Sequence, residues 1–398
     1  MWAGLYLGWA RHRIVVSRLV RGGARGISEP VTYLHYGTEV SLYSGKTRAY
    51  LRYKGIPFED RVATIEVYRS IIVPEVGRPV IPVVRTPDGE LLQDTTVIID
   101  ALEQRFPEPS IYPEGPMQRL FALLLEVYGD EWLVMPAMHY RWHPRRDNLL
   151  FLLRELGRTA SPRAPRLVQP LLGLPAAMFF GRKYQAYFGV TPRMHGPIER
   201  SYEALLRDLD AHLADHAFLF GTRPSIGDLG LIGPLYAHLY RDPAPGRLMR
   251  RIAPNVARWV ERMQQPEPRH DDGFLPDDEV PETLYPLLAR MFDEQLPILV
   301  DTIGRVHAWA LEHPDRARVS RIIGAHRYQI EGVSEERKVT PFSQWMFQRP
   351  LDLYASLDDA ARARIDPVLE RLGGLAGLRT EVPTRLAYRD HRLVVEGR

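Results

Sequence analysis

The chain has 398 residues, of which 45% are hydrophobic and 25% charged, enough apolar material for a sizeable core and more than one domain. Its formal net charge of +3 is too small to indicate a nucleic-acid partner. The absence of cysteine excludes disulfides, thiol nucleophiles and cysteine-bound metals, and it is compatible with the cytoplasmic location that we predict.

Two segments raise the question of targeting. Residues 1–30 are predicted to be a basic N-terminal extension, and the first 28 of them carry five arginines and no acid. They resemble a basic amphipathic leader, although a frayed extension ahead of a domain that begins at Val31 explains the same composition. The longest apolar run, 167–181, is short and contains two prolines, so we predict no transmembrane segment.

From residue 31 the pattern alternates between strands and helices. In chain order, the predicted elements are a strand (31–37), a helix (44–54), a strand (59–64), a short irregular or helical piece (67–77), a hairpin turned by Pro-Asp-Gly (80–93) and a helix capped by Asp94 or Thr95 (94–107). The order is βαβ followed by ββα. It predicts a small α/β domain at residues 31–110.

From Pro116 the pattern is helical. The stretch 117–142 reads as one long helix or a pair kinked at Pro136, and 155–197, rich in proline, arginine and glycine, reads as an irregular insertion. Further helices are predicted to start near 196, 223 and 254 and to cover 284–312 and 357–373, with an acidic linker at 267–282 and strand-like pieces at 326–333 and 385–397. Ser225 and Asp228 have the spacing of a capping box.

Three stretches together resemble one family. They are "VSLYSGKTRAYLRYKGIPFED" (40–60), "VIPVV…DGELLQDTTVIIDAL" (80–102) and "FLFGTRPSIGDLGL" (218–231). In this order and spacing they resemble the glutathione S-transferase superfamily over residues 31–265. The resemblance implies a thioredoxin-like α/β domain at 31–110 and an all-helical domain at 116–265. Residues 266–398 are then a mostly helical extension that either elongates the helical domain or packs across it.

The resemblance also implies a function. It implies an enzyme that needs no metal, uses glutathione as its substrate and conjugates the thiol to a small hydrophobic electrophile. It also implies a homodimer. A non-catalytic binding or scaffold protein on the same fold is the alternative, favoured by the long insertion and extension. The lack of cysteine argues against the thiol-transferase branches of the superfamily.

Glutathione transfer needs a thiolate, and a thiol with a pKa near 8.5 is only about 3% ionised at pH 7. A hydroxyl that donates to the sulfur near a helix N-terminus favours the anion. By position, Ser41 corresponds to the catalytic serine of the superfamily, and Tyr36 corresponds to the tyrosine that other classes use, so both are candidates. Ser44, one turn later, is either a second donor or a simple cap.

Further binding residues follow from the resemblance. It implies a cis bond between Ile81 and Pro82, with the backbone before the proline pairing with the cysteinyl part of glutathione. Thr95 would hold the γ-glutamyl carboxylate at a helix N-terminus, and Asp94 would face the α-ammonium group. Asp94 as a plain cap is the alternative. Arg78 is the candidate for the glycyl carboxylate.

The electrophile pocket is expected on the first helix of the second domain. Four side chains fall on one face at helical spacing, and core packing is the alternative explanation for them: Tyr128, Trp132, Met135 and His139. His139 and His143 are spaced like a metal-binding pair, but no third ligand is evident and Pro144 ends the helix, so we predict no metal site.

Overall fold

The computed structural model describes residues 32–143, 146–265 and 273–398, and the predicted basic extension at 1–30 lies outside them. The first elements are β1 (Tyr33–Gly37), α1 (Leu42–Tyr53), β2 (Phe58–Val62), α2 (Ile65–Val67), a π-helical turn (Tyr68–Ile72), α3 (Val73–Val76), β3 (Val83–Arg85), β4 (Leu91–Gln93) and α4 (Thr95–Arg105). The predicted βαβ–ββα order is confirmed.

The four strands form one sheet in the order β2-β1-β3-β4. β1 pairs with β2 in parallel and with β3 in the antiparallel direction, and β3 is antiparallel to β4. Tyr36 lies opposite Val83, which in turn lies opposite Gln93. The end of β1, the start of β3 and the end of β4 therefore meet at one edge of the sheet, and α1 and α4 both begin there.

Helices dominate the next part of the chain. They are α5 (Pro116–Val127), a π-helical turn (Tyr128–Trp132), α6 (Val134–Trp142), α7 (Arg146–Ala160), α8 (Gln169–Tyr187), α9 (His195–Asp215), α10 (Ile226–Ala237), α11 (Pro243–Ile252) and α12 (Pro254–Met263). The predicted capping box opens α10: Ser225 Oγ accepts from the Asp228 N–H at 3.4 Å, and Asp228 Oδ2 accepts from the Ser225 N–H at 2.9 Å.

The break in the first long helix is not at the predicted residue. The helix changes at the π-helical turn 128–132, and Pro136 lies in the first turn of α6, where a missing N–H costs little. At this turn α10 approaches closely: a Cβ on Gly129 would lie 2.2 Å from the Gly230 carbonyl oxygen. The tight packing of two glycine-containing helix faces, rather than proline, accompanies the irregularity.

The prediction of an irregular insertion at 155–197 is wrong, because α7 and α8 form a helical pair there. Glycine permits their close contact: Cβ atoms on Gly157 and Gly173 would lie 1.8 and 2.1 Å from carbonyl oxygens of the facing helix. The outer side of α8 leaves Leu171 70% and Met178 56% exposed. Among the residues that the structure describes, no helix has both the length and the hydrophobicity needed to cross a membrane.

The C-terminal part adds α13 (Tyr285–Glu294), α14 (Leu296–Glu312), β5 (Ala325–Ile330), β6 (Val333–Lys338), α15 (Pro341–Ala355), α16 (Asp359–Leu372), α17 (Leu375–Leu378), β7 (Leu386–Arg389) and β8 (Arg392–Val395). Both strand-like predictions are parts of hairpins, β5–β6 and β7–β8. Positive φ angles at Glu331–Gly332 and at Asp390–His391 are typical of two-residue hairpin turns. The sequence analysis missed β6 and α15.

The C-terminal residues complete the main hydrophobic core. Met346 and Phe347 of α15 are fully buried and belong to the same cluster as Phe121 of α5 and Leu51 of α1. α15 lies against α5. Of the two arrangements left open by the sequence, the chain after residue 273 thus packs across the helical part. This places β7–β8 close to the sheet edge where α1 and α4 begin.

Candidate functional site

Ser41 begins α1 at that edge of the sheet. Its backbone is extended (φ −93°, ψ 122°), and its Oγ accepts a hydrogen bond from the Ser44 N–H at 3.3 Å. This bond uses a lone pair of the hydroxyl, so the hydroxyl hydrogen stays available to another acceptor. The side chain is half-buried. A donor in this place, at a helix N-terminus, suits an anionic ligand.

The side chains of Ser44 and Tyr36 do not lie beside the Ser41 hydroxyl as second donors. Ser44 is fully buried, and its Oγ accepts from the Thr38 N–H at 3.3 Å. Side chains alternate between the two faces along β1, and Tyr36 packs with Ile72 and Val76 on the face away from α1. The structure therefore does not place Tyr36 on the same face as the N-terminus of α1, and it places Ser44 inside the protein.

The second helix N-terminus at the edge carries Asp94. The Ile81–Pro82 peptide bond is cis, as the resemblance implies. Asp94 has a positive φ of 86° and its Oδ1 caps α4 by accepting from the Thr96 N–H at 3.0 Å. Burial raises the pKa of Asp94 to about 6, against the opposing pull of the Lys46 ammonium. Thr95 is buried at the first position of α4.

Arg78 reaches the same edge, but the C-terminal hairpin contacts it. Its Nη2 donates to Gln93 Oε1 at 3.0 Å and to the Tyr388 hydroxyl of β7 at 2.8 Å. The Tyr388 hydroxyl in turn donates to Gln93. Arg78 Nε is buried and has no hydrogen-bond partner among the described residues. One donor of this guanidinium is thus left for a ligand.

The sequence analysis missed three further side chains: Tyr43 and Glu131, which interact electrostatically with Asp94, and Arg337, whose Nη2 donates to the Glu131 carbonyl at 3.3 Å. Burial raises the pKa of Glu131 to about 7, and the Asp94 carboxylate adds to that shift. The Tyr43 hydroxyl donates to the Asp130 carbonyl at 3.1 Å. Arg337 of β6 is 3% exposed, and its Nε and Nη1 have no hydrogen-bond partner within the described chain. No sequence signal pointed to Arg337, because it comes from a strand far along the chain.

The predicted electrophile residues lie in the core. Tyr128, Trp132, Met135 and His139 are each at most 2% exposed. The cavity beside the first three is about 10 Å³, room for about one water molecule. Trp132 is also tied to the interior, because its Nε1 donates to Glu294 Oε2 at 3.1 Å. These four side chains are therefore part of the core, which is the alternative explanation given for them above.

Three histidines could hold a metal ion. His139 on α6 and His143, the residue that follows this helix, lie beside His195 at the start of α9, and one ring nitrogen of each is within 4.8 Å of those of the other two. The sequence pointed to the first two only. The third ligand could not be recognised, because nothing in the spacing links the end of α6 to the start of α9.

Two family matches cover parts of the chain. Residues 36–110 match the glutathione S-transferase N-terminal domain, and residues 189–262 match the glutathione S-transferase C-terminal domain. The first range contains the sheet edge with Ser41 and Asp94, and the second contains α9 and α10. No curated protein matches the chain.

Several solved structures are similar at low identity. A glutathione S-transferase from Rhodospirillum rubrum is 17% identical, with 63% of this chain and 96% of that chain covered at a TM-score of 0.38. The β-etherase LigF from Sphingobium is 19% identical (58% and 94% covered, TM-score 0.42). A Methylobacterium radiotolerans glutathione S-transferase in complex with glutathione sulfonate is 20% identical (58% and 90%, TM-score 0.36). Such distant similarities carry no argument about activity.

Proposed function

Because this chain belongs to the glutathione S-transferase superfamily, we propose that it binds glutathione at the sheet edge between α1 and α4 and activates the thiol with the Ser41 hydroxyl. The observation that carries the proposal is the meeting of two helix N-termini beside the cis Ile81–Pro82 bond. Free N–H groups at helix N-termini favour anions, and a thiolate and a carboxylate are the two anions that this site would receive.

Each part of the ligand has a partner in this proposal. The N-terminus of α4 with Thr95 receives the γ-glutamyl carboxylate, and Asp94 receives the α-ammonium group. The backbone at Ile81 pairs with the cysteinyl unit. Arg78 Nε, which lacks a partner among the described residues, donates to the glycyl carboxylate. Charge-assisted hydrogen bonds of this kind are stronger than neutral ones.

The proposed reaction is nucleophilic substitution or addition. The thiolate sulfur forms a bond to an electrophilic carbon, and the displaced electron pair leaves with the leaving group or is captured as a C–H or O–H bond by a proton. A small hydrophobic electrophile is the expected substrate class. It would approach between Ser41 and the side chains of Tyr43, Glu131 and Arg337, rather than at the buried stripe on α5 and α6. The homodimer and the cytoplasmic location remain predictions from the sequence.

The first test measures the thiol of bound glutathione. We expect the thiolate absorbance of the bound form to titrate about two pH units below that of the free thiol, a difference of about 2.7 kcal/mol. In Ser41→Ala we expect this pKa to rise again by about one to two units, because the hydrogen-bond donor is lost. Glutathione affinity, measured by calorimetry at a pH where the thiol is neutral, should change little.

Two variants serve as controls for that test. Ser41→Thr keeps both the cap and the hydroxyl and should retain the lowered thiol pKa. Tyr36→Phe should also leave it unchanged, because Tyr36 lies on the opposite face of the sheet. A thiol pKa that rises in Tyr36→Phe but stays unchanged in Ser41→Ala would refute the assignment of Ser41 as the hydrogen-bond donor. Absence of binding at millimolar glutathione would refute the proposed function.

A second candidate function is that of a non-catalytic binding protein. The contact of the Tyr388 hydroxyl with Arg78 supports this candidate, because a residue of the chain itself engages the guanidinium. The burial of the predicted electrophile stripe supports it as well. The thiol titration separates the two functions: binding with an unshifted thiol pKa identifies a binding protein, and binding with a lowered pKa identifies the enzyme.

Glutathione affinity should depend on pH through Asp94. The free protein holds the pKa of Asp94 at about 6 by burial, and the ligand ammonium binds the ionised form. As the pH falls from 7 to 5, the carboxyl group becomes protonated and binding must first remove that proton, so we expect about tenfold weaker binding. Calorimetry with S-methylglutathione, which has no titrating thiol, measures this.

Asp94→Asn is the matched control for the pH dependence. Asparagine also caps helices and tolerates a positive φ, so the fold of the α4 N-terminus is kept. The variant should bind more weakly at pH 7 and lose most of the variation between pH 5 and 7. An unchanged slope in Asp94→Asn would assign the titration to another group, such as Glu131.

A further inference from the structure

A cluster of three histidines lies in the helical part, built by α6 and α9. The ring centroids are 5.2 Å apart for His139 and His143, 4.7 Å for His139 and His195, and 5.2 Å for His143 and His195. One ring nitrogen of each lies within 4.8 Å of those of the other two. Three rings from two separate helices therefore converge on one point.

The cluster contains unsatisfied nitrogens. His139 Nδ1 and His143 Nδ1 are buried from solvent, and neither has a hydrogen-bond partner within the described ranges. His139 itself is fully buried. A buried polar atom without a partner is unfavourable, and a bound ion would give these two nitrogens the interaction that they lack.

The other nitrogen of His139 is held by a carboxylate. Its Nε2 lies 2.9 Å from Glu199 Oε1 on α9. Metal-binding histidines typically donate their second N–H to a carboxylate or carbonyl group, which orients the ring and sets the tautomer. With the Nε2–H donated to Glu199, the lone pair of Nδ1 is the one available to a metal.

We propose that His139, His143 and His195 form a binding site for a divalent transition-metal ion, with Zn²⁺ the best-suited ion. Imidazole nitrogens suit Zn²⁺, which takes three histidines and a water molecule in open tetrahedral sites. Zn–N bonds of about 2.0–2.1 Å require nitrogens about 3.4 Å apart, so ring nitrogens now within 4.8 Å of one another would approach by up to about 1.4 Å on binding. His143 and His195 are partly exposed, so an ion could enter from their side of the cluster.

Metal titration of the untagged full-length protein tests this site. After treatment with a chelator, the protein should bind one equivalent of Zn²⁺ in calorimetry, and its Tm should rise with Zn²⁺ concentration. Co²⁺ should give the strong visible absorption of a four-coordinate ion. His195→Ala and His143→Ala should each weaken Zn²⁺ binding at least about a hundredfold, and Glu199→Gln about ten- to a hundredfold.

A second histidine pair provides the control. His212 of α9 and His216, just after this helix, stack with ring centroids 4.6 Å apart but belong to no three-ligand group among the described residues. His216→Ala should leave Zn²⁺ affinity unchanged. Should His195→Ala fail to fold, the Co²⁺ spectrum of the wild-type protein still decides. Any of three results would overturn the proposal. They are the absorption spectrum of six-coordinate Co²⁺, a lack of stoichiometric Zn²⁺ binding, and a loss of Zn²⁺ affinity in His216→Ala as large as that in His195→Ala.

Discussion

Replacing Lys46 with methionine is expected to lower the free energy of unfolding by about 3 to 5 kcal/mol, because it removes one partner of a buried ion-pair network. Lys46 Nζ lies 2.7 Å from Glu126 Oε1 and 2.6 Å from Asp130 Oδ2, and the three side chains are at most 3% exposed. These contacts join α1 to α5 and to the π-helical turn that follows it. Urea unfolding followed by circular dichroism measures the loss.

The size of the effect follows from the charge left behind. Glu126 keeps a partner in Arg349 of α15, but Asp130 Oδ1 has no hydrogen bond among the described residues and depends on Lys46 for charge compensation. Methionine retains the length and most of the volume of the lysine stem, so a packing defect contributes little. Lys338→Met, at an exposed position of β6, is the matched control and should change stability by less than about 0.5 kcal/mol.

The loss in Lys46→Met should also depend on pH. Burial, together with Glu126, raises the pKa of Asp130 to about 7 despite Lys46, and removal of the lysine raises it further. A folded-state pKa above the unfolded value means that protonation favours the native state as the pH falls. The deficit should therefore be smaller at pH 6 than at pH 9. A deficit that grows on acidification would contradict this account of the network.

Phe347→Ala is expected to cost about 3 to 5 kcal/mol as well. Phe347 lies on α15, is fully buried and belongs to the main core cluster. Because α15 packs on α5, the cavity would open between the C-terminal part and the first helix of the helical domain. The whole protein should unfold in a single transition at lower denaturant concentration, as followed by both circular dichroism and tryptophan fluorescence.

The control for this prediction is an exposed phenylalanine. Phe179 of α8 is 42% exposed, and Phe179→Ala should cost less than about 1 kcal/mol. If Phe347→Ala instead splits the unfolding curve into two transitions, or costs no more than Phe179→Ala, the C-terminal part folds as an independent unit. That result would contradict the conclusion that the C-terminal residues belong to the main hydrophobic core.

Local patterns predicted most of the secondary structure. The order of elements from β1 to α4 and the capping box at Ser225 and Asp228 were predictable because strand alternation, turn residues and caps act over a few neighbouring positions. The α7–α8 pair was not, because its glycines and prolines are read as loop signals in isolation. Their close helix contact shows only when the facing backbone is present.

Some residues of the candidate site were predictable from the sequence, but the contacts between them were not. The resemblance to the family, applied to the matching positions, indicated Ser41, Asp94 and the cis bond before Pro82, all next to helix or strand ends. It could not tell that Tyr36 faces away from α1, since that depends on the register of β1 in the sheet. It also gave no sign of Tyr388, which reaches Arg78 from the other end of the chain.

By itself, the sequence determined the kinds of elements, their order, the helix caps and the lack of any cysteine chemistry, because these depend on residue type and short spacing. Only the tertiary structure decided which side chains are buried and which meet. Asp278 accepts from the first amides of α5, Arg349 joins Glu126, and His195 joins His139 and His143 through contacts between distant segments. Such contacts depend on how whole elements pack against one another, and short stretches of sequence do not specify that packing.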